Sequence, residues 1–130
     1  MLSEDEEMFR DAVRDFAVAE VTPLIREMDG SQQLDAGLIT KLFEMGLMGI
    51  EVPEQYGGSA LTFFTSVLVV EELSRVDPSV GVLVDVQNTL VVNAIQRWGT
   101  DDQKSRYFPR LASDTVGAYA LSEAGSGSDA

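Results

Sequence analysis

Two apolar runs stand almost end to end in this chain, Phe63 to Leu73 and Val80 to Trp98, and they leave it few ways to fold. Continuous apolarity hides the period that separates a buried helix from a buried strand. Length favours helices, as do Glu71, Glu72 and Arg75 at the end of the first run and the stop at Asp77-Pro78. The second run is interrupted by Asp85, Gln87, Asn88, Asn93, Gln96 and Arg97. A membrane span needs roughly 20 mainly apolar residues, so this run reads instead as a buried helix closed by Gly99. An unpaired buried polar group costs on the order of 1 to 3 kcal/mol, so Asp85, Gln87, Asn88 and Thr89 should have partners. Two sources are open: hydrogen bonds to neighbouring elements, or a helix face bordering a pocket, with Leu90 and Val91 as its apolar wall.

The rest of the chain reads as helices with clear punctuation. Ser3 with Glu6 forms a capping box, and Phe9, Val13 and Phe16 continue at helical spacing, so a first helix starts near Glu4. Thr22-Pro23 should end or kink it, because proline lacks an N–H and crowds the preceding turn; Leu24, Ile25 and Met28 suggest a further turn before Gly30. Asp35 can cap a second helix with Leu38, Leu42 and Met45 on one face, closed by Gly46, with Leu47 packing back over the last turn. From Gly46 to Gly58 an apolar run gives way to turn residues and reads as a connection, not an element. Thr100 with Gln103 is a second capping box, Asp101 and Asp102 suit the positive end of the helix dipole, and Pro109 limits or bends the helix that follows. Val116 to Leu121 is a short strand candidate. The predicted fold class is all-α: a bundle of about five helices over residues 1–115, then the first strand of a truncated β-domain over 116–130. A lone strand needs ladder partners, so a sheet domain is expected to continue from there.

Composition restricts the chemistry. Hydrophobic residues make up 45% of the chain and charged ones 24%, which suits a globular core. Nine Lys and Arg against 22 Asp and Glu give a formal charge of −13, which repels nucleic-acid phosphates and anionic membranes, so neither is expected as a partner. The acids are scattered and read as a solvated surface. With no Cys and no His there is no disulfide, thiolate nucleophile, usual zinc site or imidazole base. Carboxylates, hydroxyls or a bound cofactor must carry any reaction. The acidic start, Met1 to Glu7, is unlike a signal or transit peptide, so either the chain is cytosolic or a presequence is missing. Lys104, Arg106 and Arg110 form the one dense basic cluster; it can meet a phosphate, but reads more simply as a solvated helix face.

The last stretch, Leu121-Ser122-Glu123-Ala124-Gly125-Ser126-Gly127-Ser128-Asp129, carries the densest functional signal. Gly125 and Gly127 can take backbone angles that turn main-chain N–H groups together toward an anion or a polar ring edge. Ser122, Ser126 and Ser128 add hydroxyls that donate and accept without bringing positive charge. Glycine-serine runs also make plain turns and flexible linkers, and composition by itself favours that reading.

Several stretches in matching order resemble the acyl-CoA dehydrogenase family: Leu42-Phe43-Glu44-Met45-Gly46-Leu47-Met48-Gly49-Ile50, Glu54-Gln55-Tyr56-Gly57-Gly58, Val70-Glu71-Glu72-Leu73-Ser74, Gly99-Thr100-Asp101-Asp102-Gln103-Lys104 and the Leu121 to Asp129 loop. The Gly46 to Glu51 run and Gln87-Asn88-Thr89-Leu90 are most similar to the short/branched-chain members. The resemblance implies a flavoenzyme whose N-terminal helical domain and middle β-domain enclose FAD and an acyl-CoA thioester, oxidised to a trans-2-enoyl-CoA. It implies FAD contacts from Tyr119, Ala120, Leu121, Ser122, Glu123, Ala124, Gly125, Ser126, Gly127 and Ser128, with Leu121 and Ser122 nearest the pyrimidine edge. The same resemblance implies that Ser128 also touches acyl-CoA and that the helix over Val82 to Val92 borders the acyl pocket through Leu90 and Val91. The family's base is a glutamate in a C-terminal helical domain, so no catalytic residue is expected in this chain, which alone would be inactive. Electron-transfer flavoprotein is the implied acceptor, a homotetramer the implied full-length assembly, and the mitochondrial matrix the implied compartment in a eukaryote, the cytoplasm otherwise. Many family members have threonine and proline where this chain has Ser122 and Ala124: the hydroxyl is kept, while the loop is less preorganised. An acyl-CoA oxidase is the alternative within the family, and a noncatalytic helical interaction module the alternative outside it.

Overall fold

The computed structural model describes residues 2–129. Five continuous helical stretches follow one another: α1 over 4–31, α2 over Ala36–Glu44, α3 over Phe63–Val76, α4 over Pro78–Trp98 and α5 over Asp101–Ser113. This is the all-α bundle that the apolar runs and caps predict.

Local chemistry sets the helix ends. Ser3 and Glu6 exchange hydrogen bonds, with Glu6 N donating to Ser3 Oγ at 3.2 Å and Ser3 N to Glu6 Oε2 at 2.8 Å, and α1 starts at Glu4. Pro23 changes the turn type of α1 without ending it. The backbone widens into a π turn over Ala17–Val21, tightens into a 3-10 turn over Thr22–Leu24 and resumes as α-helix over Ile25–Ser31. Changing turn width absorbs the hydrogen bond that a proline cannot donate. The helix passes Gly30, and Gln32, at φ 54°, closes it in the left-handed region instead. The N–H groups of Gln32 and Gln33 both donate to the Met28 carbonyl, which meets one of the groups left over at a helix end. Asp35 caps α2 through Leu38 N at 2.7 Å, and Gly46, at φ 72°, makes the turn beyond it. The Leu47 N–H then reaches back to the Leu42 carbonyl, as its expected packing requires.

Asp77 ends α3 and begins α4. Its N–H donates to the Leu73 carbonyl at 2.9 Å while its carboxylate accepts from Ser79 N at 2.7 Å, and Pro78 occupies a first-turn position where no N–H is needed. The two apolar runs therefore fold as a tight helical hairpin. Arg14 locks α1 to it, donating from Nε and Nη2 to the two Glu72 oxygens at 2.9 Å each, with Glu72 only 2% exposed. Val13, Ala17 and Val21 of α1, Leu38 and Leu42 of α2, Val69 and Leu73 of α3, and Val80 and Val84 of α4 form the main core.

The connection between α2 and α3 contains one 3-10 turn, Glu54–Tyr56, and is a packed part of the molecule. Leu47, Met48 and Ile50 enter the main core, and Val52 enters a smaller one with Val92, Phe108 and Leu111. The Tyr56 and Phe108 rings meet there at 5.5 Å. Thr100 and Gln103 form the second capping box, and α5 continues through Pro109 to Ser113. After it, the predicted strand Val116 to Leu121 runs without a ladder partner among the described residues. The isolated bridge that follows pairs Glu123 with Ser126.

Candidate functional site

The residues that organise the C-terminal end lie in the middle of α4. Its 21 residues have the length and apolarity of a membrane span, yet two of its polar side chains, Gln87 and Asn88, are fully buried within the bundle. Both lie on a π turn over Val86–Val92, whose extra width changes the direction in which successive side chains leave the helix. Asn88 faces the α2–α3 connection: Nδ2 donates to the Leu47 carbonyl at 2.8 Å and to the Val84 carbonyl at 2.9 Å, and Oδ1 accepts from Ile50 N at 2.9 Å. Gln87 faces the other way. Its Nε2 donates to the carbonyls of Leu111 at 2.9 Å and Thr115 at 3.1 Å, and its Oε1 accepts from Gly117 N at 2.7 Å. Thr89 Oγ1 donates to the Asp85 carbonyl and carboxylate at 3.0 and 2.8 Å. The buried polar groups of α4 therefore have partners inside the bundle, as burial demands.

Leu90 and Val91 follow on the same π turn. Leu90 is 38% exposed and Val91 half-buried against the smaller core. Gly117 crosses so close to Val91 that a Cβ there would come within 2.6 Å of Val91 Cγ1, so only glycine fits without a shift. The segment leaving α5 is thus laid directly against the helix that carries both predicted pocket residues.

Beyond Gly117 the chain opens to solvent. Tyr119, Ala120, Leu121, Ser122, Glu123, Ala124, Gly125, Gly127 and Ser128 are exposed, with Ser126 half-buried. Glu123 and Ser126 exchange backbone hydrogen bonds at 2.8 and 3.2 Å, closing a short turn, and Gly127 N donates to Asp129 Oδ1 at 3.1 Å. Gly125 and Gly127 do not use the positive φ open to glycine; the positive-φ glycines among the described residues are Gly46 and Gly57. The turn closes through the Glu123–Ser126 pair without needing a left-handed residue. The Ser122, Ser126 and Ser128 hydroxyls make no hydrogen bond among the described residues. Such hydroxyls donate and accept hydrogen bonds without carrying charge.

Other features lie apart from the loop. Lys104, Arg106 and Arg110 form no ion pair among the described residues; Arg106 lies over the Tyr107 ring at 5.4 Å. An apolar groove of about 390 Å³ between Met8, Phe9 and Ala12 of α1 and Leu61, Thr65 and Leu68 was not legible in the sequence. Neither it nor the larger, more polar cleft of about 710 Å³ between α1 and the α3–α4 corner includes a loop residue. Burial pushes the Glu51 carboxyl above its ordinary range, partly offset by the Ser66 hydroxyl at 3.4 Å and the charge of Arg97. The role of Gln87 was also hidden. Its amide type in a buried run demanded a partner, but the partners lie 24, 28 and 30 residues away.

A five-helix bundle that hands its last helix to an exposed hydroxyl-bearing loop agrees with the family suggested by the sequence. The family model described as acyl-CoA dehydrogenase, N-terminal domain, matches residues 3–115, and the chain belongs to the acyl-CoA dehydrogenase family. Among curated relatives, it is 48% identical over 129 residues to a probable short/branched chain specific acyl-CoA dehydrogenase of Dictyostelium discoideum, covering 99% of this chain and 31% of that protein. It is 43% identical to the mitochondrial short/branched chain specific acyl-CoA dehydrogenase of Bos taurus, covering 98% and 29%. Among solved structures, butyryl-CoA dehydrogenase from Megasphaera elsdenii superposes with a TM-score of 0.89 at 29% identity, covering 99% of this chain and 35% of that one. A chain from work on the electron transferring flavoprotein of Acidaminococcus fermentans and flavin-based electron bifurcation superposes at 0.91 with 36% identity, covering 99% and 34%. The chain spans about a third of the length of these relatives.

Proposed function

We propose that this chain is the helical N-terminal part of an FAD-dependent acyl-CoA dehydrogenase that converts short or branched acyl-CoA thioesters to trans-2-enoyl-CoA in fatty-acid or branched-chain amino-acid catabolism. One observation carries the reading: the chain matches enzymes named for that activity along almost its whole length, at 48% identity to the Dictyostelium protein. Residues 1–115 form the helical domain, a division that the family match over 3–115 supports. Residues 116–130 then begin the β-domain.

In this reading the Tyr119 to Ser128 loop lies along the flavin. Leu121 and Ser122 approach the pyrimidine edge, where the Ser122 hydroxyl can donate or accept. Ser128 also contacts the acyl-CoA, while Leu90 and Val91 wall the acyl chain. FAD supplies the hydride acceptor, which no side chain can provide. A thioester α-proton is weakly acidic and needs a positioned carboxylate, so the reading assigns the base to a glutamate outside these residues and gives Glu123 a place in the loop only. The acceptor would be an electron-transfer flavoprotein, a reading supported by the likeness to the chain from the Acidaminococcus fermentans work. A homotetramer and a mitochondrial matrix location, if the source is eukaryotic, complete the proposal; mitochondrial relatives support the latter.

The test uses the full-length protein. It should purify yellow, and its flavin bands should bleach on anaerobic addition of a short or branched acyl-CoA. Reoxidation by an electron-transfer flavoprotein but not by oxygen identifies a dehydrogenase. Rapid oxygen consumption without added acceptor would make it an oxidase, and a colourless protein without flavin bands would return the helical interaction module.

A further inference from the structure

We infer that Gln87 is a positioning residue that sets where the cofactor loop stands relative to the acyl-pocket wall; this rests on the reading of Tyr119 to Ser128 as the flavin loop. The last four carbonyls of a helix have no partner within it, and the chain leaving such an end must be held by something else. At the end of α5 the Asp114 and Thr115 N–H groups return to the Arg110 carbonyl, and beyond them the holder is one side chain from another helix. The Gln87 amide satisfies the Leu111 carbonyl in the last turn, the Thr115 carbonyl just past it and the Gly117 N–H two residues further on, at 2.9, 3.1 and 2.7 Å. Gln87 is 0% exposed, and its bond to the Leu111 carbonyl is buried, while those to Thr115 and Gly117 are part-buried.

After Gly117 the next hydrogen bonds among the described residues are those within the loop itself, between Glu123 and Ser126. Gln87 is therefore the last anchor before the loop. Ser122 is five residues on, and an extended chain spans at most about 3.6 Å per residue, so its Cα cannot stray beyond roughly 18 Å from that of Gly117. The same contact sets the register against the pocket. Gly117 is pressed onto Val91, and Gln87, Leu90 and Val91 share one π turn, so a single helical turn holds both the root of the loop and the predicted acyl wall. The π turn links cofactor and substrate positions mechanically.

Three variants of the full-length protein test this. Gln87→Met keeps the length and volume and removes all three hydrogen bonds. Gln87→Glu keeps an acceptor for Gly117 N–H but opposes the two carbonyls while it is ionised. Val84→Ala loosens the same helix in the core without touching the anchor. The readouts are hydrogen exchange at the Gly117 amide, the FAD dissociation constant and the visible circular dichroism of the bound flavin. The expected result is about tenfold faster exchange and about tenfold weaker FAD binding in Q87M, with altered flavin dichroism. Q87E should be impaired at neutral pH and recover in part as the pH falls and its carboxyl regains one O–H, enough for one of the two carbonyls. V84A should melt earlier with exchange at Gly117 and FAD affinity unchanged. If Q87M does not fold, the pH-dependent recovery of Q87E carries the test. The inference is overturned if Q87M or Q87E holds FAD as the parent does at neutral pH, or if V84A loses it equally. A parent protein without flavin would instead sink the flavin reading, and Gly117 exchange would still report on the anchor.

Discussion

Asn88 commits its whole amide to backbone partners in two places, Leu47 and Ile50 in the α2–α3 connection and Val84 in its own helix. Replacing it with alanine leaves a buried carbonyl and a buried N–H of that connection without partners. Asn88→Ala should cost on the order of 3 kcal/mol in urea unfolding, and a loss under about 0.5 kcal/mol would mean the amide is not holding the connection. Two carboxylates oppose one another in pH dependence. Hydrogen bonds from Arg14 hold the Glu72 carboxyl below its ordinary range, against the opposite push of burial. A lowered native pKa stabilises the fold above the ordinary carboxylate range and is lost as the pH falls through the lowered value. Arg14→Met should therefore lower the melting temperature most at neutral pH, with the gap to the parent closing in acid. Glu51 has the other sign: its raised pKa favours the fold below the ordinary range, and that contribution is lost as the pH rises through the raised value. Glu51→Gln should raise the melting temperature at pH 7 and leave it unchanged near pH 3. At this scale the sequence announced that Gln87 and Asn88 needed partners but not which, because pairings this distant in sequence leave no local signal.

Helices were the most legible elements, since their starts are written within four residues. Ser3 with Glu6, Asp35, and Thr100 with Gln103 each cap at the expected position, and Asp77-Pro78 splits the two apolar runs where chemistry required. The exceptions have physical causes. Gly30 did not close α1, because Gln32 and Gln33 reached the Met28 carbonyl two residues further on. The π turns at Ala17–Val21 and Val86–Val92 answer to a proline in one case and to buried tertiary partners in the other, and the second kind has no sequence signature. The α3–α4 hairpin closes on one small residue: a Cβ at Gly81 would lie 2.0 Å from Ser74 Oγ and 3.3 Å from Ser74 Cα. Gly81→Ala should cost about 1 to 3 kcal/mol by overpacking. Adding Ser74→Ala should recover part of it, giving a coupling energy in a double-mutant cycle; purely additive losses would show that the helices do not meet there.

As a whole molecule, the bundle was legible because one requirement, covering Phe63 to Leu73 and Val80 to Trp98, governs most of the chain. The loop was less so. Its composition suited a linker as well as a cofactor contact, and it folds as a short turn closed by the Glu123–Ser126 pair, with the Ser122, Ser126 and Ser128 hydroxyls unpaired among the described residues. What places it is the bundle itself, through Gln87 and the Gly117–Val91 contact. In the proposed function these residues supply one side of a flavin site and need further protein to complete it. Calorimetric titration of FAD into residues 1–130 and, in parallel, into the flavin-stripped full-length protein tests that claim most directly. Tight stoichiometric binding by the full-length protein, with weak or no binding by residues 1–130, is the predicted result. Tight one-to-one binding by residues 1–130 alone would contradict it.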